Sequence, residues 1–402
     1  MSTSILYHGF GVRHYRYLRT EFIGGSVVFH MEKSPDKQRC AACGSRDVVL
    51  KGRARRKLRT LPIGRKKVFL QIHLHRLQCR SCGSLKLEPL LISDPKRRWT
   101  RALGRYVLGL LSCMTIEDVS RHLGMSWGTI REIHVQALGT RLKRRRLRHM
   151  RVIGVDEVAV RKGHNYLTVV VDLETGEVVW VAEGRKTGAL EPFLRKLKRA
   201  GAKIEAVAMD MWKPYIRAVT THFGQDVIVF DRYHIMADYN KTLDLIRTTE
   251  VAKAGKENKA VFKGVRYLLL KGSEKIADDW NARRRLAELL AVNETISTAY
   301  ILKEELRMFW RCRDIEEAQT FISNWLSTAW ASGIDLLARF ANTLVRHMYG
   351  LLNYFNHRVT TGKVEGINNK IKVLKRQAYG YRDIEYFKLR IYFLHESRYA
   401  LL

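Results

Sequence analysis

The sequence predicts a multidomain protein with an α/β core, interrupted by an all-helical insertion and preceded by a cysteine-rich module and a pair of helices. Three observations support this fold class. Two Cys-x-x-Cys pairs lie near the start, a proline-free stretch with helical spacing runs from Trp99 to Leu138, and two apolar strands end in Asp156 and Asp210. A chain of 402 residues, 46% of them hydrophobic, has the length of two to four domains.

The charge of the chain predicts a polyanionic partner. Lys and Arg number 73 against 39 Asp and Glu, a net charge of +34. Residues 1–150 hold 32 basic and 9 acidic residues, a net of +23, so most of the excess lies in the first third. Phosphates relieve such self-repulsion and release counterions when they bind. Charge density alone does not separate DNA from RNA, and a basic face on an ordinary protein is the other alternative.

The sequence also bears on location and on isolated cysteines. No stretch reaches the ~18–20 consecutive apolar residues of a membrane span, and the first residues lack a signal peptide's apolar run. We therefore expect a cytoplasmic protein without a membrane partner.

Two of the six cysteines, Cys113 and Cys312, stand alone in helical patterns, and we expect them to be buried small hydrophobic residues.

The remaining cysteines predict a structural zinc site in a β-rich module over residues 1–95. Each pair has the spacing that lets two sulfurs reach one tetrahedral ion, and a glycine follows each pair. The predicted ligands are Cys40, Cys43, Cys79 and Cys82. Apolar and polar residues alternate between the pairs, as in a half-exposed strand: Val68, Leu70, Ile72 and Leu74 with Gln71, His73 and His75. Zinc is favoured over redox-active or inert thiols, because a redox pair needs no duplicate. Basic segments 51–60 and 64–67 add a phosphate-binding surface.

The pattern of residues 96–150 predicts a helix-turn-helix DNA-binding domain followed by a basic joint. Thr115 can cap a first helix, Gly124 fits a short turn, and Ser126 can cap a second helix. The second helix would present three side chains to the major groove: Trp127, Thr129 and Arg131. Packing of two ordinary helices is the alternative. The joint, residues 141–149, includes Arg144 and Arg145 as further DNA contacts or as a solvated helix end.

Residues 151–238 predict the first part of an RNase H-like core. Three strands in hairpin order are followed by helix, strand, helix and strand, and in that arrangement the first and fourth strands are neighbours. Asp156 and Asp210 would then meet at one edge of the sheet. We expect Glu157 and Asp172, which also lie near strands, to be uninvolved acids.

A third carboxylate is expected from a later helix. Three carboxylates at one edge would repel one another unless divalent cations neutralise them. Residues 239–357 are helical in pattern and form the expected insertion, with large tryptophans as anchors: Trp280, Trp310, Trp325 and Trp330. Glu365 follows near the start of a helix that Thr360 or Thr361 can cap. On that helix, a polar face would carry Asn368, Asn369, Lys372 and Arg376, of which the last three are candidate DNA contacts. Oxygen ligands of this kind suit two Mg²⁺ or Mn²⁺ ions acting on a phosphodiester.

The chain resembles the ISL-three family of bacterial insertion-sequence transposases. The resemblance rests on the paired Cys-x-x-Cys segment, the helix pair, and the blocks VIGVDEVAVRKG, AVAMDMWKPYIRAV, VIVFDRYHI and VEGINNKIKVLKRQAYGYRD. It implies an RNase H-like fold with a DDE triad of Asp156, Asp210 and Glu365, and a supporting motif of Asp231 and His234. Residues 358–402 would complete the core.

We therefore expect a DNA transposase that binds terminal inverted repeats, cleaves DNA ends and transfers the strand, using Mg²⁺ or Mn²⁺ and structural Zn²⁺. Its partner would be double-stranded DNA. The protein would bind this DNA as a homodimer or higher oligomer and would be associated with the nucleoid. Two alternatives remain: a DNA-binding regulator that has lost catalysis, and an RNase H-like nuclease without strand transfer.

Overall fold

The computed structural model describes residues 4–143, 147–161, 165–255 and 261–394. These residues form two compact units, one before and one after residue 143. The first unit thus contains the cysteine-rich sheet together with the helix pair.

The first unit begins with a mixed sheet. Its elements are α1 (Ile5–His8), β1 (Tyr15–Ile23), β2 (Ser26–Lys33), β3 (Val48–Arg59), β4 (Val68–Cys79) and β5 (Leu85–Leu87). The strand order is β1-β2-β4-β3, with β5 paired to β4, and only β2 and β4 run parallel among these pairs. The predicted alternation is confirmed, since Val68, Leu70, Ile72 and Leu74 are buried while Gln71 and His73 are partly exposed. His75 departs from it: this side chain is buried beside Glu88, with Nδ1 2.9 Å from the carboxylate.

Three helices complete the first unit: α2 (Arg101–Leu110), α3 (Ile116–Leu123) and α4 (Trp127–Lys143). Thr115 caps α3 by accepting a bond from the Asp118 N–H, and Ser126 accepts one from the Thr129 N–H, as predicted. Gly124 ends α3 at φ +56°, a left-handed conformation that favours glycine. Cys113 contradicts its prediction, because it is exposed in the turn after α2.

The second unit is built around a five-stranded sheet. The elements in chain order are β6 (Val152–Arg161), β7 (Asn165–Asp172), β8 (Val178–Glu183), α5 (Thr187–Arg199), β9 (Ala206–Met209), α6 (Lys213–Phe223) and β10 (Ile228–Phe230). The sheet order is β10-β9-β6-β7-β8. The hairpins β6-β7 and β7-β8 are antiparallel, whereas β9 is parallel to both β6 and β10. The buried runs of β7 and β9 reflect a sheet covered by helices.

The segment after β10 is helical in its described parts, as the sequence predicts. It contains α7 (Arg232–Lys253), α8 (Arg266–Leu270), α9 (Trp280–Val292), α10 (Glu294–Met308), α11 (Ile315–Ala331), α12 (Asp335–Arg346) and α13 (Met348–His357). Trp310, Trp325 and Cys312 are buried as predicted. Trp280 and Trp330 are 65% and 45% exposed, so the prediction that they anchor the core is wrong. In the part of the chain that the structure describes, none of the helices has the length and hydropathy of a membrane span.

Two helices close the unit against the sheet: α14 (Gly362–Gln377) and α15 (Ile384–Tyr392). Gly154 of β6 permits the close approach of α14, because a Cβ at this glycine would lie 2.4 Å from Cγ2 of Val364. This contact holds α14 against β6 at Gly154, which is two residues before the predicted site residue Asp156. Thr361 occupies the N-cap position of α14 but makes no side-chain capping bond, so the predicted threonine cap is wrong.

Candidate functional site

Asp156 and Asp210 lie at the same edge of the second sheet. Strands β6 and β9 are parallel neighbours with Gly154 opposite Ala208, so each aspartate is two residues beyond this matched pair. The apolar run of β9 ends at Met209, and Asp210 follows at the carboxyl end of the strand. The parallel register therefore brings together two carboxylates that are distant in sequence, as predicted.

His234 joins this pair from the first turn of α7. Its Nδ1 lies 2.7 Å from Oδ2 of Asp210, and its Nε2 lies 3.8 Å from Oδ2 of Asp231. Asp156, Asp210 and His234 each offer a ligand atom, and these three atoms lie within 4.8 Å of one another. The supporting residue of the sequence analysis is thus a direct member of the cluster. Asp231 precedes α7 directly, which explains why His234 faces the strand ends.

The two carboxyl groups of the cluster are costly to ionise, mainly because they are buried. Burial raises the pKa of Asp156 to about 6, and the charge of Asp210 adds to this, while the Glu157 N–H opposes it. Burial likewise raises the pKa of Asp210, against the hydrogen bond from His234. For His234, burial lowers the pKa, but the hydrogen bond and charge of Asp210 outweigh it and the net pKa is raised. A cation at these carboxylates would relieve the cost of ionising both.

Asn368 of α14 also contacts the cluster. Its Nδ2 donates a 2.6 Å hydrogen bond to Oδ2 of Asp156. The side chain is buried, and its Oδ1 has no hydrogen-bond partner in the described structure. A buried carbonyl oxygen without a donor is costly unless another group satisfies it. The two carboxylates and the imidazole of the cluster form a donor set that fits a divalent cation.

Glu365 lies outside the cluster. It is exposed one turn before Asn368, and its carboxylate does not belong to the group of ligand atoms around Asp156. The predicted polar face is wrong for Asn368, because the contact of Val364 with Gly154 turns position 368 towards the sheet. The other predicted members of that face are exposed: Asn369, Lys372 and Arg376.

Two lysines, which the sequence analysis did not single out, hold α14 across β6 and β7. Nζ of Lys363 donates to the carbonyl oxygens of Leu173 and Glu174 at 2.6 and 2.9 Å. Nζ of Lys375 donates to the carbonyl oxygens of Val160 and Ala159 at 3.2 and 3.4 Å. Lysines at both ends of an amphipathic helix are a weak sequence signal, because most such lysines are solvated.

An arginine stack borders the acids and was also missed. The Arg185 guanidinium lies 4.4 Å from the ring centre of Tyr166 and 4.8 Å from that of Trp212. Arg185 also pairs with Glu157 at 3.1 Å, and this partner agrees with the expectation that Glu157 is not a ligand. Asp172 instead accepts bonds from the N–H groups of the turn after β7. The position of Trp212, two residues after Asp210, was the available signal.

The four paired cysteines form a second cluster, in the first unit. The sulfurs of Cys40 and Cys82 are 3.7 Å apart and those of Cys43 and Cys79 are 3.6 Å apart. All four lie within 4.8 Å of one another. A tetrahedral ion with Zn–S bonds of ~2.3 Å separates its sulfurs by ~3.8 Å, so the spacing fits zinc.

The two knuckles repeat the same backbone pattern. In each, the N–H of the first cysteine donates to a serine carbonyl five residues later, and the following glycine has a positive φ: Cys40 with Ser45 and Gly44, Cys79 with Ser84 and Gly83. The hydrogen bond with Ser84 and the nearby backbone N–H groups lower the pKa of Cys40 to about 5. For Cys43, the Ser45 N–H lowers the pKa, but the neighbouring thiols raise it to about 12. A cation bound by the four sulfurs would favour their thiolate forms.

The predicted DNA-contacting residues of α4 are accessible. Trp127 is 46% exposed, and Thr129 and Arg131 are partly exposed. Arg144 and Arg145 lie outside the described residues.

Comparisons with known proteins match both units of the chain. Residues 153–391 match the family model of ISL3 transposases, which is described as "Transposase". Residues 36–82 match the zinc finger of the transposases of IS204, IS1001, IS1096 and IS1165. The chain therefore belongs to the ISL3 family of transposases and carries the family's zinc ribbon with its four cysteines.

Individual relatives cover nearly the whole chain. The transposase for insertion sequence element IS1001 of Bordetella parapertussis is 32% identical over 96% of this chain and 95% of its own length. The transposase for insertion sequence element IS1557 of Mycobacterium tuberculosis is 28% identical over 90% of this chain and 86% of its own length. Among solved structures, the Drosophila P element transposase strand transfer complex matches with 13% identity and a TM-score of 0.37, over 62% of this chain and 78% of that one. That likeness is too low to define the fold.

Proposed function

We propose that this transposase binds the terminal inverted repeats of an insertion sequence, cleaves the DNA ends and transfers the strand, on an RNase H-like core. The observation that carries the proposal is the register of β6 and β9, which brings Asp156 and Asp210 together at the sheet edge. The sheet order β10-β9-β6-β7-β8, with one antiparallel hairpin series and two parallel strands, supports the fold assignment.

Asp156 and Asp210 would hold two Mg²⁺ or Mn²⁺ ions, with Glu365 as the third carboxylate. Glu365 lies one helical turn before Asn368, a spacing of about 5–6 Å between Cβ atoms, so its side chain can turn to the same edge. When bound, the ions supply Lewis acidity at the scissile phosphate and stabilise the attacking and leaving oxygens. His234 and Asn368 would act as positioning residues, because each fixes one aspartate by a hydrogen bond.

The reaction consists of two phosphoryl transfers. Water loses a proton as it attacks the phosphorus at the end of the element, the bond to the 3′ oxygen breaks, and that oxygen takes up a proton to become a free hydroxyl. The 3′ hydroxyl then loses its proton and attacks a phosphorus of the target, where another bond to a 3′ oxygen breaks and the departing oxygen is protonated. The carboxylates orient the groups for in-line displacement, and no covalent intermediate with the protein is required.

The first unit would recognise the DNA ends. We interpret residues 1–95 as a zinc-stabilised module and residues 96–150 as a helix-turn-helix domain whose α4 enters the major groove. The exposed Trp127 and the partly exposed Thr129 and Arg131 at the start of α4 support this role. The remaining parts would be a core over 151–238 and 358–402 and an insertion over 239–357, in a homodimer or higher oligomer on DNA. Arg144, Arg145, Asn369, Lys372 and Arg376 are proposed as further DNA contacts.

Substitution of the core aspartates tests this function. Asp156→Asn and Asp210→Asn should bind end DNA as the wild type does, while metal-dependent cleavage is lost. Cleavage by both variants at the wild-type rate would refute the assignment. Precut ends incubated with target DNA separate the alternatives: joined products indicate a transposase, cleavage without joining indicates a nuclease, and binding alone indicates a regulator.

A further inference from the structure

A cationic cleft lies inside the first unit, between the sheet and the turn that joins α3 to α4. It has a volume of about 710 Å³. Six basic residues line it: Lys57, Arg59, Lys67, Lys96, Arg97 and Arg98. Glu132 is the acidic residue of the lining, and it forms an ion pair with Arg97. The cleft therefore keeps a strong positive excess after this pair is counted.

Arg59 is the buried anchor of the cleft. Its residue exposure is only 9%, and Nη2 donates to the carbonyl oxygen of Leu123 at 3.0 Å. The Nε and Nη1 atoms are buried and have no hydrogen-bond partner within the described chain. The Phe69 ring lies 5.0 Å from the guanidinium, but it offers no acceptor oxygen. A buried guanidinium with two unused donors is costly without an anion, so these donors point to an anionic ligand.

The surroundings of Arg59 suit a phosphate group. Nζ of Lys57 lies 4.5 Å from the ring centre of Phe69, on which Arg59 also rests. Gly124 leaves room for Lys67, because a Cβ there would come within 3.0 Å of the lysine Cε. The first turn of α4 adds Ser126 and Thr129 to the lining, and the positive end of a helix dipole favours an anion. A guanidinium fork matches phosphate oxygens in geometry.

We propose that this cleft holds a backbone phosphate of the DNA that α4 contacts, with Arg59 as its main ligand and Lys67 as a second. The inference rests on the proposed function, since it assumes that the α3–α4 pair binds DNA. It explains why the arginine is buried beside the helix turn: a phosphate held there fixes the position of α4 along the DNA backbone. A free polyphosphate or nucleotide is the other source of the same chemistry.

Matched variants of the full chain test the cleft by DNA binding. Lys67→Gln removes a charge at the cleft, whereas Lys86→Gln removes one from an exposed lysine outside the lining. Arg59→Gln tests the anchor, with Arg76→Gln as an exposed control on the neighbouring strand β4. Both cleft variants should weaken binding to a duplex with the terminal repeat about tenfold, the effect of one charge-assisted contact. The slope of log K against log salt should fall by about 0.9 for one phosphate.

Neutral phosphates locate the contact. A single methylphosphonate is placed in turn at each backbone position of the duplex. At one or two positions it should weaken binding by the wild type and both controls about tenfold, but by less than twofold for Arg59→Gln and Lys67→Gln. Because Lys67 is exposed, Lys67→Gln should fold even if Arg59→Gln does not.

The outcomes separate this inference from the proposed function. If the cleft variants keep the salt slope and the methylphosphonate map of their controls, the inference is overturned while DNA binding stands. A second outcome is that tripolyphosphate raises the melting temperature of the wild type but not of Arg59→Gln, while no methylphosphonate position couples to the cleft. The cleft then binds a free polyphosphate, and the proposal that it holds a DNA phosphate is overturned. If the map shows the coupling but the wild type never cleaves, the inference stands and the proposed catalysis fails.

Discussion

Nδ2 of Asn368 donates a 2.6 Å hydrogen bond to Oδ2 of Asp156, across 212 residues of sequence. This bond connects α14 to the first strand of the core, at the edge where Asp210 and His234 also lie. The helix that follows the long helical segment is therefore part of the acidic site. Its rotational setting decides which of its polar residues reaches the carboxylates.

Loss of the Asn368 amide should impair the metal site more than the fold. Asn368→Ala removes one hydrogen bond to Asp156 and also the unpaired buried oxygen, so the stability change should be small, about 1 kcal/mol or less. We expect cleavage to fall roughly 10–100-fold and the Mg²⁺ concentration for half-maximal rate to rise. Cleavage rates measured over a Mg²⁺ titration check this. Gln377→Ala removes an exposed amide from the same helix and is the control; equal metal dependence in the two variants would contradict the positioning role.

Glu365→Gln should abolish cleavage while end binding persists, if this residue is the third carboxylate. The expected loss is at least ~100-fold, because the substitution removes a ligand of the metal ions that stabilise the transition state, and not only a contact with bound DNA. Single-turnover cleavage and a gel-shift assay on the same preparation measure both quantities. Glu316→Gln removes an exposed acid on α11 and should change neither. Near-normal cleavage by Glu365→Gln would leave the site with Asp156 and Asp210 alone.

Gly154→Ala should destabilise the second unit by about 1–3 kcal/mol, since an added methyl group overpacks the contact between β6 and α14. The new Cβ would lie 2.4 Å from Cγ2 of Val364 and 3.0 Å from Cδ2 of Leu173. Urea unfolding of the full chain measures the change.

A double-mutant cycle tests whether Val364 causes the strain. Val364→Ala alone should cost stability by leaving a small cavity, but it should recover part of the loss when combined with Gly154→Ala. Strictly additive effects of the two substitutions would show that the helix and strand do not share this contact.

Zinc should be lost when one of its four ligands is removed. We expect one zinc ion per chain in the wild type, and less in Cys40→Ser, because a hydroxyl is a much poorer zinc ligand than a thiolate. Metal analysis after gel filtration measures the stoichiometry. Cys113→Ser is the matched control, as this cysteine is exposed and outside the cluster. Undiminished zinc in Cys40→Ser would remove the cysteines from the metal site.

Local patterns explain the features that the sequence predicts well. The cysteine spacing, the glycine after each pair and the threonine and serine caps of α3 and α4 involve neighbours within five residues, and all were found as predicted. The order of strands around β6 and β9 was also predictable, because short buried strands and their connections allow few arrangements. Asp156 and Asp210 followed directly from that order.

Burial that depends on distant elements was predicted less well. Trp280 and Trp330 have the same helical spacing as buried tryptophans, yet their side chains are 65% and 45% exposed. His75 has the polar position of an alternating strand, but Glu88 provides a buried partner. Periodicity describes one element at a time and contains no information about what packs against it.

By itself, the sequence determined the family, the zinc-ligand spacing, the strand order and the two core aspartates, because each depends on short-range pattern or on a small set of allowed topologies. Only the tertiary structure decided that Asn368 contacts Asp156, that Glu365 lies outside the cluster, and that Arg59 is buried with unused donors. These facts depend on how α14 is rotated against Gly154 and on how the α3–α4 turn covers the sheet of the first unit. Rotation and coverage follow from side-chain packing between distant segments, which linear spacing does not encode.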